Sequence, residues 1–168
     1  KEDTLHNTIQ FLRENEADLA VCFDGDADRV VFCDREGFLG FNESVAFISR
    51  LLVEDSGKKS IATTVETGGL LDLAVEDLGV EVFRGRVGDV HVAYLAQKKN
   101  SAIGVEQVGV YIFPQMGYYP DSIFAVLTLL SRIKEAGEIR EFLSRLPPLY
   151  FDKSKISCPN QFKGAVMA

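Results

Sequence analysis

Long apolar runs are missing from this sequence. Its most strongly apolar stretch, Ile123 to Leu130, falls far short of the ~20 residues that cross a bilayer, and the N-terminus has no secretory-signal layout. Basic clusters are missing too. With 25 acidic against 18 basic side chains the net charge is −7, and no lysine/arginine stripe offers the positive potential that a phosphate backbone needs. Membrane and nucleic acid are therefore not expected partners, and a cytoplasmic protein is expected. Cysteine is scarce: Cys22, Cys33 and Cys158 show no CxxC spacing, and two of them sit in apolar runs where a reduced thiol packs as a small hydrophobe. No internal repeat or low-complexity tract is visible.

What is present is enough hydrocarbon for a core. The 168 residues are 46% apolar and 26% charged, which fits one domain with pieces of its neighbours. Both ends read as cut, since the chain opens at Lys1 without methionine and stops inside the apolar pattern Ala165 to Ala168. Apolar periodicity predicts helices near 4–15, 43–55, 68–78, 88–98, 121–136 and 138–145. Gly79 is the expected left-handed cap of the third; Asp121 is the expected N-cap of the fifth and Gly137 its end. Short apolar runs predict strands at Leu19–Phe23, Val30–Cys33, Ile61–Val65, Val80–Phe83, Ala102–Glu106 and Val110–Phe113. From about residue 43 onward the two alternate, which is the pattern of an α/β fold: a mixed, mostly parallel sheet with flanking helices, and a tight Gln107–Gly109 link. Pro147-Pro148 and the polar stretch after it mark the expected domain boundary.

Chemistry is concentrated where an apolar strand runs into Asp24-Gly25-Asp26-Ala27-Asp28-Arg29. On extended backbone, alternate residues point the same way, so the three aspartates are expected to converge at the strand's end. Carboxylates ~4 Å apart repel by about 4 kcal/mol per pair at an effective dielectric near 20. A bound cation removes that cost, and all-oxygen ligation favours a hard ion such as Mg²⁺. Arg29 adds a fork that suits phosphate. An EF-hand does not fit, because Arg29 and Arg35 stand where its glycine and glutamate belong. A phosphatase of the haloacid dehalogenase type, with Asp24 as nucleophile, is an alternative.

The segment Phe23 to Arg29 resembles the metal loop of the α-D-phosphohexomutases, the group of phosphomannomutase, phosphoglucomutase and phosphoglucosamine mutase. Arg84-Gly-Arg-Val-Gly-Asp89 is similar to that family's R-T-x-V-G-D segment. Gly104-Val-Glu-Gln-Val-Gly-Val110 stands where the family has its sugar loop, usually G-G-E-x-S-G-H. The resemblance implies the end of a second domain with the metal loop at 1–40, a sugar-binding third domain at 41–147, and a linker into a fourth at 148–168. It further implies Asp24, Asp26 and Asp28 as Mg²⁺ ligands and Arg29 as a contact to the transferring phosphate. Arg86 and Asp89 would act near the reacting end, and Gly104, Glu106 and Gln107 at the sugar.

The implied activity is interconversion of 1-phospho and 6-phospho hexoses through a phosphoserine and a bisphosphate. The implied partners are a hexose phosphate and the remaining domains of the parent, which would supply that serine, so these residues alone are expected to be inactive. Glu106 is expected to face an open cleft. Asp89 reads equally well as a helix N-cap, His91 as a solvated side chain, and Thr67-Gly68-Gly69 as a simple cap. Val108 and Val110 replace the usual serine and histidine, which keeps a non-catalytic sugar-phosphate-binding paralogue open as a further alternative.

Overall fold

The structure, a computed structural model, describes residues 5–150, 152, 154 and 157–166. It is built around two sheets. The first is an antiparallel meander of β1 (Leu19–Phe23), β2 (Val30–Asp34) and β3 (Phe38–Leu39), with helix α1 (His6–Glu14) packed on β1 and β2. The second comprises β4 (Ser60–Thr64), β5 (Glu81–Gly85), β6 (Ile103–Glu106) and β7 (Val110–Ile112) in the order β5-β4-β6-β7. There β4 runs parallel to β5 and to β6, and β7 returns antiparallel on β6.

Strand alternation sorts the second sheet into two apolar faces. Ile61, Ile103, Val105 and Tyr111 point to one, and Ala62, Val110 and Ile112 to the other. Helix α4 (Asp89–Lys99) covers the second face with Val92, Ala93 and Ala96. Its approach is close because Gly104 lies beneath it: a Cβ at that position would stand 2.9 Å from Val92 Cγ1. The first face is covered by α2 (Phe41–Ser56), α3 (Leu70–Val75), α5 (Ser122–Arg132) and α6 (Gly137–Ser144). The short helix α7 (Lys163–Val166) closes the described chain. All five residues of β4 are buried, as expected of a strand with helices on both sides.

Helix α2 joins the two sheets. Its buried run Ser44 to Ser49 is wider than an amphipathic stripe, because Val45, Phe47 and Ile48 share one core with Val30, Phe32 and Leu39 of the first sheet and Ile103 and Val105 of the second. Each such side chain contributes about 1.5–3 kcal/mol by leaving water. The helix is framed at its start by Glu43 Oε2, which accepts from Gly40 N at 2.7 Å, and at its end by Gly57 in the left-handed region.

Several expectations need correction. The strand β3 is too short to show a pattern in sequence. The third predicted helix is α3 followed by a 3-10 turn, Glu76–Leu78, although Gly79 does close it in the left-handed region. The fifth ends at Arg132 rather than 136, since Ile133 returns to extended backbone, and Gly137 opens α6 instead of ending α5. Asp121 caps α5 as expected, accepting from Phe124 N at 2.8 Å. Cys33 is buried in the sheet, and burial pushes its thiol up to about 11, consistent with packing rather than reactivity. Part of the polar stretch after Pro148 lies outside the described residues.

One ion pair ties α6 to the first sheet. Asp34, at the end of β2, accepts from Arg140 Nη2 at 2.8 Å and from Arg140 Nε, and it also accepts the Glu36 and Gly37 N–H groups at 2.9 Å. Burial alone would raise the Asp34 carboxyl, but Arg140 and these N–H donors outweigh it and hold it below the ordinary value. Its contribution to stability is therefore present above the ordinary carboxylate range and is lost as pH falls through the lowered value. Arg140→Met is expected to cost about 3 kcal/mol at pH 7, the low end for breaking a buried pair because Arg140 keeps some exposure. Urea unfolding of both proteins at pH 7 and near pH 3 checks this. The gap should narrow in acid, and an equal gap at both pH values would contradict it.

Candidate functional site

The acidic loop does not hold extended backbone, so the alternation argument for its convergence fails in detail. Residues 24–28 form a turn instead, in which Ala27 N donates to Asp24 O at 3.3 Å and Ala27 takes a left-handed φ of +57°. The turn reaches the same end by another route. One carboxylate oxygen each of Asp24, Asp26 and Asp28 lie within 4.8 Å of one another. Arg29 Nε stands 2.6 Å from Asp24 Oδ2 and 3.3 Å from Asp28 Oδ1, and Arg29 N donates to Asp24 Oδ1 at 3.2 Å.

Charge in this loop is under-compensated, with one guanidinium facing three carboxylates. For Asp24, burial opposes ionisation, but the Arg29 backbone N–H, the Asp28 contact and the Arg29 guanidinium hold its carboxyl below the ordinary value. Asp28 goes the other way: burial, then its contact with Asp24 and the charges of Asp24 and Asp26, raise it. The two behave as a like-charge pair that disfavours double ionisation. Asp24 Oδ2 is buried and has no hydrogen-bond donor in good geometry, only the Arg29 charge beside it. An all-oxygen donor set with an orphaned oxygen fits a hard divalent cation.

Two contacts fix this loop, one to the second sheet and one to α5. Val30 N, at the loop's exit, donates to Gly109 O at 3.0 Å. Gly109 has φ +90°, and a Cβ there would lie 2.2 Å from Val30 O, so only glycine permits the approach. At the loop's tip, Ser122 Oγ, fully buried at the start of α5, donates to Ala27 O at 2.5 Å. The acidic loop is thereby held against the residues that link β6 to β7.

Those residues belong to the carboxyl-terminal edge of the parallel strands. Thr64, Gly85 and the end of β6 are adjacent by register, with β5 on one side of β4 and β6 on the other, so the connection from β4 runs one way and the crossover from β5 to β6 runs back the other. Such a switch point is where open α/β sheets bind ligands. Glu106 stands there, but not in an open cleft as expected. It is 7% exposed and its Oε1 accepts from Gly88 N at 2.7 Å, which latches the 85–89 loop to β6. Burial is the first cause of its raised carboxyl, aided by the charges of Asp89, Glu66 and Asp28 and opposed by the Gly88 N–H.

The other sequence candidates separate. Asp89 is the first residue of α4 and makes no cap hydrogen bond; Gly88 holds the N-cap position, so the cap reading falls. Arg86 is exposed with no ion pair or hydrogen bond among the described residues, and His91 is solvated. Gly104 lies under α4 inside the sheet, where its missing side chain lets the helix pack closely. Gln107 lines a different cavity of about 340 Å³ with Asn42, Glu43, Leu70 and Leu149. Val108 forms part of the wall of a pocket of about 300 Å³ with Asp24, Arg29 and Phe41, whereas Val110 is buried under α4. Thr67 is no cap: its hydroxyl lies 2.7 Å from that of Thr63, which donates to Val105 O at 2.8 Å directly behind Glu106. Sequence reasoning missed Thr63, Ser122 and Gly109, and only the glycine, between two valines in a tight link, carried any signal.

Residues 41–150 match the family model described as phosphoglucomutase/phosphomannomutase, alpha/beta/alpha domain III. A probable phosphoglucosamine mutase of Methanopyrus kandleri is 34% identical over 169 residues, covering 99% of this chain and 37% of the relative. Its namesake in Pyrococcus furiosus is 38% identical over 157 residues, covering 93% of this chain and 35% of the relative. The crystal structure of a putative phosphomannomutase from Thermus thermophilus matches with TM-score 0.75 at 25% identity, over 84% of this chain and 34% of that one. An Aspergillus fumigatus N-acetylphosphoglucosamine mutase, solved with GlcNAc-6P and magnesium, shares the fold at 14% identity, with TM-score 0.58 over 84% of this chain and 40% of that one. The chain belongs to the phosphoglucomutase/phosphomannomutase family, and it spans about a third of the length of the curated relatives it matches. Membership sets the phosphatase alternative aside.

The glycine contact gives a direct test of how the site is assembled. Gly109→Ala adds a methyl group where 2.2 Å separates it from Val30 O, on backbone that alanine resists. The expected outcome is a loss of about 1–3 kcal/mol in urea unfolding, together with amide chemical-shift changes that reach residues 24–30. A shift confined to residues 107–111 would contradict the coupling of the two loops.

Proposed function

We propose that this chain is the central part of a phosphosugar mutase, an isomerase that exchanges the phosphoryl group between the 1- and 6-positions of a hexose by way of a phosphoserine and a bisphosphate. The names of its relatives favour glucosamine phosphate as that hexose. The observation that carries the proposal is the convergence of Asp24, Asp26 and Asp28 within 4.8 Å beside Arg29, on a loop pinned to the switch-point edge that bears Glu106.

In this reading the three aspartates hold Mg²⁺. When bound, the ion neutralises charge on the oxygens of the transferring phosphoryl group, which is most of what such a transfer asks of a protein. Arg29, half exposed, presents its guanidinium to the same group. Glu106 accepts hydrogen bonds from ring hydroxyls once its Gly88 contact is exchanged for them, and the raised carboxyl favours that exchange in the presence of a donor. In this reading Asp89, at the start of α4, moves the sugar hydroxyl proton, and Arg86, in the loop before it, meets the phosphate. A second reading, a non-catalytic sugar-phosphate-binding paralogue, draws on Val108 and Val110, which leave a methyl-lined wall and a buried core residue where the family usually has a hydroxyl and an imidazole.

Calorimetric titration of the full-length protein with Mg²⁺ or Mn²⁺, wild type beside Asp26→Ala, tests the metal assignment. Affinity should drop at least tenfold, ~1.4 kcal/mol, and turnover of glucosamine phosphate primed by its bisphosphate should be lost with it. Equal binding by the two proteins would overturn the metal site. Metal-dependent binding of the sugar phosphate with no turnover would support the non-catalytic reading.

A further inference from the structure

The carboxyl-terminal edge of the parallel strands carries an acid that the reaction proposed above does not use. Three loops leave that edge: 65–69 after β4, 86–88 after β5 and 107–109 after β6. Thr64 faces Gly85 across one ladder and Thr63 faces Val105 across the other, so Thr64, Gly85 and Glu106 form one row on strands about 4.8 Å apart. Glu66 and Arg86 follow within two residues of that row, and Asp89 opens α4 just beyond. Arg84, the cation inside β5, is turned toward α3: its guanidinium donates to Asp72 Oδ1 at 2.9 Å and to Gly68 O at 3.5 Å.

The turn that bears Glu66 is held from several sides. Thr67 N donates to Thr64 O at 3.1 Å, and Val65 N donates to Gly85 O at 3.0 Å. The Thr63 and Thr67 hydroxyls lie 2.7 Å apart, and Gly68 N donates to Asn42 Oδ1 at 3.2 Å. Thr64 and Thr67 are buried, and Glu66 between them is half-buried. Contacts from α2, β4 and β5 thus fix the backbone on which this carboxylate stands, the kind of support that a specificity-setting group needs.

Charge at this edge is unbalanced toward acid. The Glu106 carboxyl is raised first by burial and then by the charges of Asp89, Glu66 and Asp28. Asp28 belongs to the metal loop of the proposed function, whereas Asp89 and Glu66 do not. A neutral hexose brings hydroxyl donors but no positive charge, and its phosphate adds negative charge. A sugar that carries an ammonium group brings a charge-assisted donor and reduces the excess at the same time.

We propose that Glu66 is a specificity-determining residue that selects an amino-hexose phosphate, its carboxylate accepting from the sugar's ammonium group while Glu106 accepts from ring hydroxyls. The inference rests on the mutase reading for the presence of the sugar at this edge, and it goes beyond that reading in naming the group that chooses the hexose. A plain hexose leaves Glu66 with only a neutral partner, and N-acylation removes the charge while adding bulk, so both are disfavoured by one carboxylate.

Kinetics of the full-length protein with Mg²⁺ test this, using glucosamine 6-phosphate beside glucose 6-phosphate and N-acetylglucosamine 6-phosphate, each primed by its bisphosphate. The ratio of kcat/KM for the amino sugar to that for either neutral sugar should favour the amino sugar in the wild type and fall about ten- to hundredfold in Glu66→Gln. Glu66→Asp keeps the charge and should keep most of the ratio. A folding defect lowers all three substrates together and does not move a ratio. A wild type that prefers a neutral sugar, a ratio that Glu66→Gln leaves unchanged, or one that Glu66→Asp loses as fully as Glu66→Gln would overturn the inference. Calorimetric binding of the same three sugar phosphates separates it from the mutase reading. A binding preference for the amino sugar that disappears in Glu66→Gln, with no turnover of any of the three, would support the role of Glu66 and contradict the mutase reading; turnover with a selectivity indifferent to Glu66 would overturn this inference alone.

Discussion

The site rests on a contact between two backbones. Val30 N reaches Gly109 O at 3.0 Å because residue 109 has no side chain and accepts a φ of +90°. Through it the acidic loop of the first sheet and the β6–β7 link of the second become one surface, and Ser122 holds the same loop from α5. Helix α2 supplies the stiffness behind this contact, since it shares one apolar core with both sheets. Glu106, buried at the strand edge, has its carboxyl raised, first by burial and then by the charges of Asp89, Glu66 and Asp28.

Electrostatics gives that surface its character. Folding brings Asp24, Asp26 and Asp28 together with one adjacent guanidinium, and the conflict appears as a lowered Asp24 and a raised Asp28. A protein gains nothing in stability from such crowding, and the proposed function accounts for it by a cation that the three carboxylates hold. Glu106 follows the same logic. Its carboxylate is buried with a single N–H donor from Gly88, and it sits at the strand edge where ligands enter sheets of this kind. In the proposed function a metal-bound sugar phosphate is what supplies partners to both.

Much of this was legible in the sequence. Strand and helix order from residue 43 onward followed from periodicity, because β4 and α2 have long buried faces that leave a clear pattern. The aspartate cluster and Glu106 were visible as motifs, but their surroundings were not. Alternation in an extended strand was the wrong reason for the convergence of the aspartates, since the left-handed Ala27 makes a turn that a propensity argument gives to glycine or asparagine. The burial of Glu106 and Val110 and the packing role of Gly104 depend on where α4 lies, which is a tertiary fact. β3 escaped notice because two residues carry no period, and the α5–α6 break because Gly137 reads as a stop when it is in fact a start.

The central claim is that the acidic loop and the β6–β7 link form a single site around a cation. Paramagnetic broadening by substoichiometric Mn²⁺, followed residue by residue in the amide spectrum, tests it most directly. The account predicts that signals of residues 24–30 broaden first and that those of Gly88, Glu106 and Gly109 broaden with them, all reversed by excess Mg²⁺. Broadening that leaves residues 24–30 untouched, or that stops at the acidic loop without reaching Gly109, would contradict it.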